Sequence, residues 1–379
     1  MFKNYLIDFK SGLVVFLVAL PLCLGIALAQ NAPLLSGLIG GVLGGIVIGS
    51  ISGSRLSVSG PAAGLTSIVL SSVQELGSFE IFLCAVLISG VFQLLLALLK
   101  AGAIAHYFPS SVIKGMLSAI GIILIIKQIP HLTGYDADTE GDESFLQSDG
   151  ENSFSAFSSM LSQITPGSFI IGIISLGILF LWELQWFKNN KYTKLLPPSL
   201  LVVVAGILTA IGFDAFKTHY IIPQIHFVNI PDLNSFSDIK NQAYTPDFSG
   251  FLNFKVYEIA LVLAAVASLE TLLSLEAIDR LDPEDIQSPP NRELLAQGTG
   301  NILSGLLGGL PLTSVIVRSS VNVNAGAKSK WSSIFHGILI LICVICFPMV
   351  LERIPLSSLA GILIFTGYKL AQPKLIVNI

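Results

Sequence analysis

Apolar stretches of about twenty residues, divided by short polar breaks, recur from one end of the chain to the other. They lie near 12–30, 34–51, 79–99, 108–129, 168–187, 197–214, 256–277, 294–309, 332–351 and 355–370. A helix of that length crosses the hydrocarbon core of a bilayer, and only helices or closed barrels satisfy every backbone polar group there. The expected fold class is an all-α polytopic membrane protein with the lipid bilayer as its surround. Composition agrees: of 379 residues 53% are hydrophobic and 12% charged, too little charge to cover a soluble exterior. A net charge of -4 without clustered Lys and Arg argues against a nucleic-acid partner. Cys23 and Cys84 stand alone, and Cys343 and Cys346 lie inside an apolar run without a neighbouring His or acid, so neither a disulfide framework nor a metal site is expected.

Two segments, 61–74 and 311–325, are shorter and richer in Gly, Ser and Thr, as half-helices that enter the membrane would be. They resemble each other: SGPAAGLTSIV runs from Ser59 and GGLPLTSVIV from Gly308, which sets Leu65-Thr66-Ser67 against Leu312-Thr313-Ser314. Short, Gly/Pro-interrupted segments in corresponding halves mark an inverted-repeat secondary transporter with its site at the midplane. The halves read as 1–215, an extracellular linker 216–255, and 256–379. An acidic loop, 130–167, carries Asp136, Asp138, Glu140, Asp142, Glu143, Asp149 and Glu151 without a base. With the N-terminus cytoplasmic, most Lys and Arg fall inside, and Lys127, Lys217, Lys240, Lys255 and Arg353 fall outside. That asymmetry follows the positive-inside rule and predicts a multi-pass inner (plasma) membrane protein with the acidic loop outward.

A half-helix that begins at midplane turns unpaired N–H groups and the positive end of its dipole toward the cavity, a seat for an anion. Pro61 and Pro311 are expected to open such helices. Ala62, Ala63 and Gly64 would let an anion approach the backbone, Leu312 belongs to the same stretch, and Thr66, Thr313 and Ser314 would add hydroxyl donors. Glu270 and Arg318 are ionisable residues inside membrane segments, costly enough to imply a function. Ser274 shares a helical face with Glu270, and the Glu270 carboxylate opposite a fixed Arg would take a coupling cation or a proton. The plain alternative is a Glu270–Arg318 salt bridge that fixes helix register.

The stretches FKSGLVVFLVALPLCLGIALAQNAP, SRLSVSGPAAGLTSIV, ASLETLLSLEAIDRL and GGLPLTSVIVRSSVNVNAGAKSKWSSI resemble the sulfate permease (SulP) family of inorganic anion transporters, and the likeness extends over essentially the whole chain. It implies two inverted repeats of seven segments, core and gate domains, elevator-type alternating access, and a homodimer in the full-length form. It also implies an anion between the third and tenth segments, a break in the first at Pro21, Glu270 and Ser274 at the coupling position, and Arg318 lining the anion site. In that family two more segments and a cytoplasmic STAS domain follow, so the second repeat is expected to be incomplete. The first segment has Ala19 and Leu22 where some members direct polar side chains at substrate.

The expected function is secondary active transport of small inorganic anions, sulfate or bicarbonate, coupled to sodium or protons. A dicarboxylate or other organic anion carrier of the same fold and a transport-inactive scaffold are the alternatives. An enzyme is disfavoured, because no intramembrane nucleophile and base or metal set stands out.

Overall fold

The computed structural model describes residues 2–107, 109–136, 155–185, 197–216, 220–229 and 243–371. Asp138, Glu140, Asp142, Glu143, Asp149 and Glu151 of the acidic loop, and Lys217 and Lys240, lie outside them. Each stretch read from the sequence has its helix: α1 Phe2–Ala29, α2 Leu34–Ile51, α3 Thr66–Leu76, α4 Phe79–Leu98, α5 Ser110–Thr133, α6 Pro166–Trp182, α7 Pro198–Ala215, α8 Phe254–Leu281, α9 Pro290–Leu307, α10 Ile316–Asn324, α11 Trp331–Cys346 and α12 Leu356–Leu370. Two three-residue strands, β1 Ser59–Pro61 and β2 Leu312–Ser314, precede α3 and α10.

Among the described residues six helices are long and apolar enough to cross a membrane (α1, from Tyr5 on; α2; α4; α5, from Lys114 on; α7; α8), and α6, α11 and α12 are shorter apolar helices. Exposed Leu98, Leu208, Leu261 and Ile345 give them lipid-facing surface. α9 is not among the six, although its sequence was expected to supply an apolar span at 294–309. The reason is a buried polar face of Glu293, Gln297, Asn301 and Ser304.

The chain forms two compact units, each drawn from two separate stretches: Met1–Ile113 with Pro231–Cys346, and Lys114–Ile230 with Phe347–Ile379. In the first, α4 and α9 pack closely through facing glycines. A Cβ at Gly90 would stand 2.6 Å from Gly298 O, and one at Gly298 would stand 2.8 Å from Gly90 O, the small-residue contact that lets membrane helices approach. Leu65, Val69, Phe82, Leu83, Val256 and Leu263 form the apolar core shared by α3, α4 and α8. α1 runs beside α11 and α2.

In the second unit α6 packs against α7 and α12. The end of α5 is tied down by polar bonds: Thr165 N–H donates to Thr133 O at 3.0 Å, and Asp136 lies 2.5 Å from the Nδ1 of both His131 and His226. Val228 N–H donates to Ile354 O at 3.1 Å, which fixes the 220–229 segment to the start of α12.

Candidate functional site

The two similar short segments meet. β1 and β2 pair antiparallel, with Ser59 across from Ser314, Gly60 from Thr313 and Pro61 from Leu312. Because the pairing is antiparallel, α3 leaves the ribbon at its Pro61 end and α10 at its Ser59 end. The two helix N-termini therefore approach the ribbon from opposite ends; the first-turn N–H groups of α10 have no intrahelical acceptor, while at the start of α3 the Thr66 N–H already donates to Ala63 O of the preceding turn.

Details of the local structure differ from the sequence reading. Pro61 and Pro311 do not open the helices: Pro61 closes β1 and Pro311 precedes β2. A strand end tolerates the missing N–H as well as a first helical turn does. The two Leu-Thr-Ser triplets are not equivalent either, since Thr66 begins α3 while Thr313 sits in β2. A short 3-10 turn, Ala63–Leu65, intervenes before α3, whereas α10 starts almost directly after its strand. Pro21 lies inside a continuous α1, so the first segment is not broken there. One lost N–H bond is absorbed when the surrounding turn is packed, and Leu20, Leu22, Cys23 and Leu24 are all buried.

Glu270 faces the ribbon from α8. Thr313 Oγ1 donates to its Oε1 at 3.3 Å, and a Cβ at Gly64 would stand 3.0 Å from its Oε2. Gly64, just past β1, is exposed and Ala63 and Glu270 are half-buried, whereas the six ribbon residues themselves are buried. Ser274, one turn further along α8, is buried, and Thr66 is buried with its hydroxyl unpartnered among the described residues.

Arg318 lies on a different side. Its guanidinium presses on Gly60, where a Cβ would collide with Nη1. The side chain is 0% exposed, and its three nitrogens have no hydrogen-bond partner among the described residues. Glu270 and Arg318 are thus not hydrogen-bonded to each other, and the register-fixing salt bridge is not formed. A sealed cation with no carboxylate bonded to it among the described residues raises the electrostatic potential of the ribbon.

Several residues that hold the site escaped the sequence reading. Gln30 Nε2 donates to Ala62 O at 3.1 Å, Ser314 N–H donates to Thr271 Oγ1 at 3.2 Å, and the Ser57 and Ser314 hydroxyls lie 2.7 Å apart. Polar residues within apolar spans were the available signal for Thr271 and for α9. Below the site, Arg55 bonds Asp282 at 3.0 Å and Glu284 at 2.5 Å, and that guanidinium holds the Glu284 carboxyl below the ordinary range.

Comparison with known proteins gives this geometry its context. The pattern of the Sulfate permease family matches residues 5–379. The chain belongs to the Sulfate permease family. That family is one of transporters rather than enzymes. The chain is 28% identical over 377 residues to a bicarbonate transporter, BicA, of Picosynechococcus, covering 97% of this chain and 62% of the relative. It is 26% identical to the BicA of Synechocystis, covering 97% and 61%. The chain therefore spans about three fifths of the length of these relatives. Among solved structures, the transmembrane domain of a cyanobacterial BicA superposes with a TM-score of 0.67 at 24% identity, covering 98% of this chain and 90% of that one. That likeness shows the fold: an inverted-repeat, multi-pass membrane architecture.

Proposed function

We propose that this chain is the membrane part of a secondary active transporter for small inorganic anions, sulfate or bicarbonate, with the anion seated at the N-terminal ends of α3 and α10. The observation that carries the reading is the antiparallel β1–β2 pairing, which brings two helix N-termini to one ribbon beside a carboxylate and a buried cation. Each N-terminus offers free N–H groups and about half a positive charge, and Arg318 adds a full one. Half-buried Ala63 and exposed Gly64 leave the backbone of that turn within reach of an oxyanion. Pro61, Ala62, Pro311 and Leu312 shape the ribbon, while Thr66, Thr313 and Ser314 supply hydroxyls.

Glu270 is the coupling group. A sodium ion or a proton on its carboxylate, with Ser274 on the same helical face, removes the repulsion that the anion would otherwise meet. In the proposed cycle both solutes load together and alternating access is of the elevator type, in a homodimer whose N-termini are cytoplasmic. The family membership and the BicA relatives support this substrate class.

Proteoliposome uptake of labelled sulfate and labelled bicarbonate tests the reading, run with sodium and proton gradients applied separately. Uptake of one anion that needs one of the gradients, and that falls in Arg318→Ala, is expected. No uptake of either anion under any gradient would overturn it. Competition by fumarate separates the organic-anion alternative.

A further inference from the structure

α9 is the polar exception among the long helices. Glu293, Gln297, Asn301 and Ser304 are spaced by four, four and three residues, one face of a helix, and all four are at most 1% exposed. Each bonds a different part of the chain around the ribbon. The Glu293 carboxyl accepts from Ser52 just past α2, and Gln297 Nε2 donates to Ser59 Oγ of β1 at 2.7 Å and to Glu293 Oε1 at 3.0 Å. Asn301 Oδ1 accepts from Leu312 N–H at 2.7 Å, while its Nδ2 donates to Leu312 O at 3.1 Å and to Gln93 Oε1 of α4 at 2.7 Å. Ser304 Oγ donates to Leu310 O at 2.6 Å.

Asn301 therefore satisfies both backbone groups of one β2 residue, the pair of bonds that a neighbouring strand would make. A ribbon of two three-residue strands is too small to fix its own geometry. Gln297 grips β1 and Asn301 grips β2 from one rigid helix, so the offset between the strands is set by the spacing of two side chains on α9. Leu312 immediately precedes Thr313, whose hydroxyl reaches Glu270, and Ser59 pairs with Ser314, whose N–H reaches Thr271.

We infer that Gln297 and Asn301 are positioning residues for the anion seat: they hold β1 and β2 in register, and thereby place Thr313, Ser314 and the first-turn N–H groups of α3 and α10. The inference rests on the ribbon being the anion seat. A site whose donors drift binds anion more weakly even in fully folded protein, and that separates positioning from mere support.

The test uses the full chain in proteoliposomes, with KM for labelled sulfate and bicarbonate measured beside the melting temperature of the same purified protein. Asn301→Asp keeps the acceptor for Leu312 N–H and loses the donor, and Gln297→Ala releases β1. Each is expected to raise KM about ten- to hundredfold while a folded, monodisperse population remains. Thr299→Ala, on the exposed face of α9, is expected to keep the wild-type KM. Should Asn301→Asp not fold, Gln297→Ala reads the same quantity. Folded variants with wild-type KM, whatever their loss of melting temperature or maximal rate, would overturn the positioning role. If the wild type takes up neither anion, the transport reading fails by itself. Amide hydrogen exchange over residues 312–316 in Gln297→Ala and Asn301→Asp then reads the hold on the strands apart from transport: faster exchange in either upholds that hold, and unchanged protection in both overturns it.

Discussion

Gly60 has no room for a side chain, and its reason is a single neighbour. A methyl group there would occupy the space of the Arg318 guanidinium, which is walled in on every side and cannot swing into solvent. Gly60→Ala should cost about 1–3 kcal/mol, the usual penalty for overpacking, and a drop in melting temperature of the purified protein checks it. Glu270 stands apart from that sealed neighbour, being half-buried. Glu270→Gln keeps the acceptor for Thr313 and removes the charge. Gradient-driven uptake should fall at least about tenfold, equivalent to about 1.4 kcal/mol, while exchange of anion across the membrane without a gradient is less affected. A variant that still accumulates anion against its gradient would remove Glu270 from the coupling step.

At the scale of elements, the end of α5 gives a prediction with a definite sign. Burial pushes the Asp136 carboxyl upward, but the bonds from His131 and His226 outweigh it and leave the group below the ordinary carboxylate range. A folded pKa below the unfolded one, about 3.9, means that the carboxylate contributes stability above that value. The contribution is lost as pH falls through the folded pKa. Asp136→Asn should therefore melt lower than wild type at neutral pH, with the gap closing only below about pH 4. A gap independent of pH would mean that the tie does not depend on the carboxylate charge. The acidic loop hid this role. From sequence Asp136 was one of many acids in 130–167, and nothing in its spacing pairs it with His226, ninety positions away.

The helices themselves were easy to read, because length and apolarity alone predict a span, and α2 and α4 run almost as their sequences suggest. The ribbon was harder. Sequence similarity aligned Thr66 with Thr313, but the backbone aligns Ser59–Pro61 with Leu312–Ser314, since pairing follows hydrogen bonds across the crossing and not the likeness of short words. Intramembrane charge singles out Glu270 and Arg318, yet which way each side chain turns depends on packing at Gly60 and Gly64, which one chain of letters does not reveal. The polar face of α9 was legible in principle, as polar residues at helical spacing, and was passed over because the surrounding stretch is apolar.

At the scale of the whole molecule, orientation is the property that the fold leaves to be measured. α8 is 28 residues long, about 42 Å of helix, enough to carry its two ends past both faces of the hydrocarbon core. Its ends are marked by separate charge clusters. Lys255 bonds Glu75 at 2.9 Å and Glu258 at 3.1 Å at the start, and past the end Arg55 bonds Asp282 and Glu284, with Lys328 3.5 Å from Glu284. The second cluster holds two bases, Arg55 and Lys328, where the first holds one, so the positive-inside rule places it on the cytoplasmic side. Cys343 and Cys346 would first be changed to Ser, because Cys346 is exposed and Cys343 partly so, whereas Cys23 and Cys84 are buried. In that background Glu258→Cys should react with a membrane-impermeant maleimide on intact cells, and Glu284→Cys only after permeabilisation. The reversed pattern would invert the proposed orientation and put the N-terminus outside. Reaction of both on intact cells would mean that α8 does not cross the membrane, and the inward and outward faces of the anion seat would have to be assigned afresh.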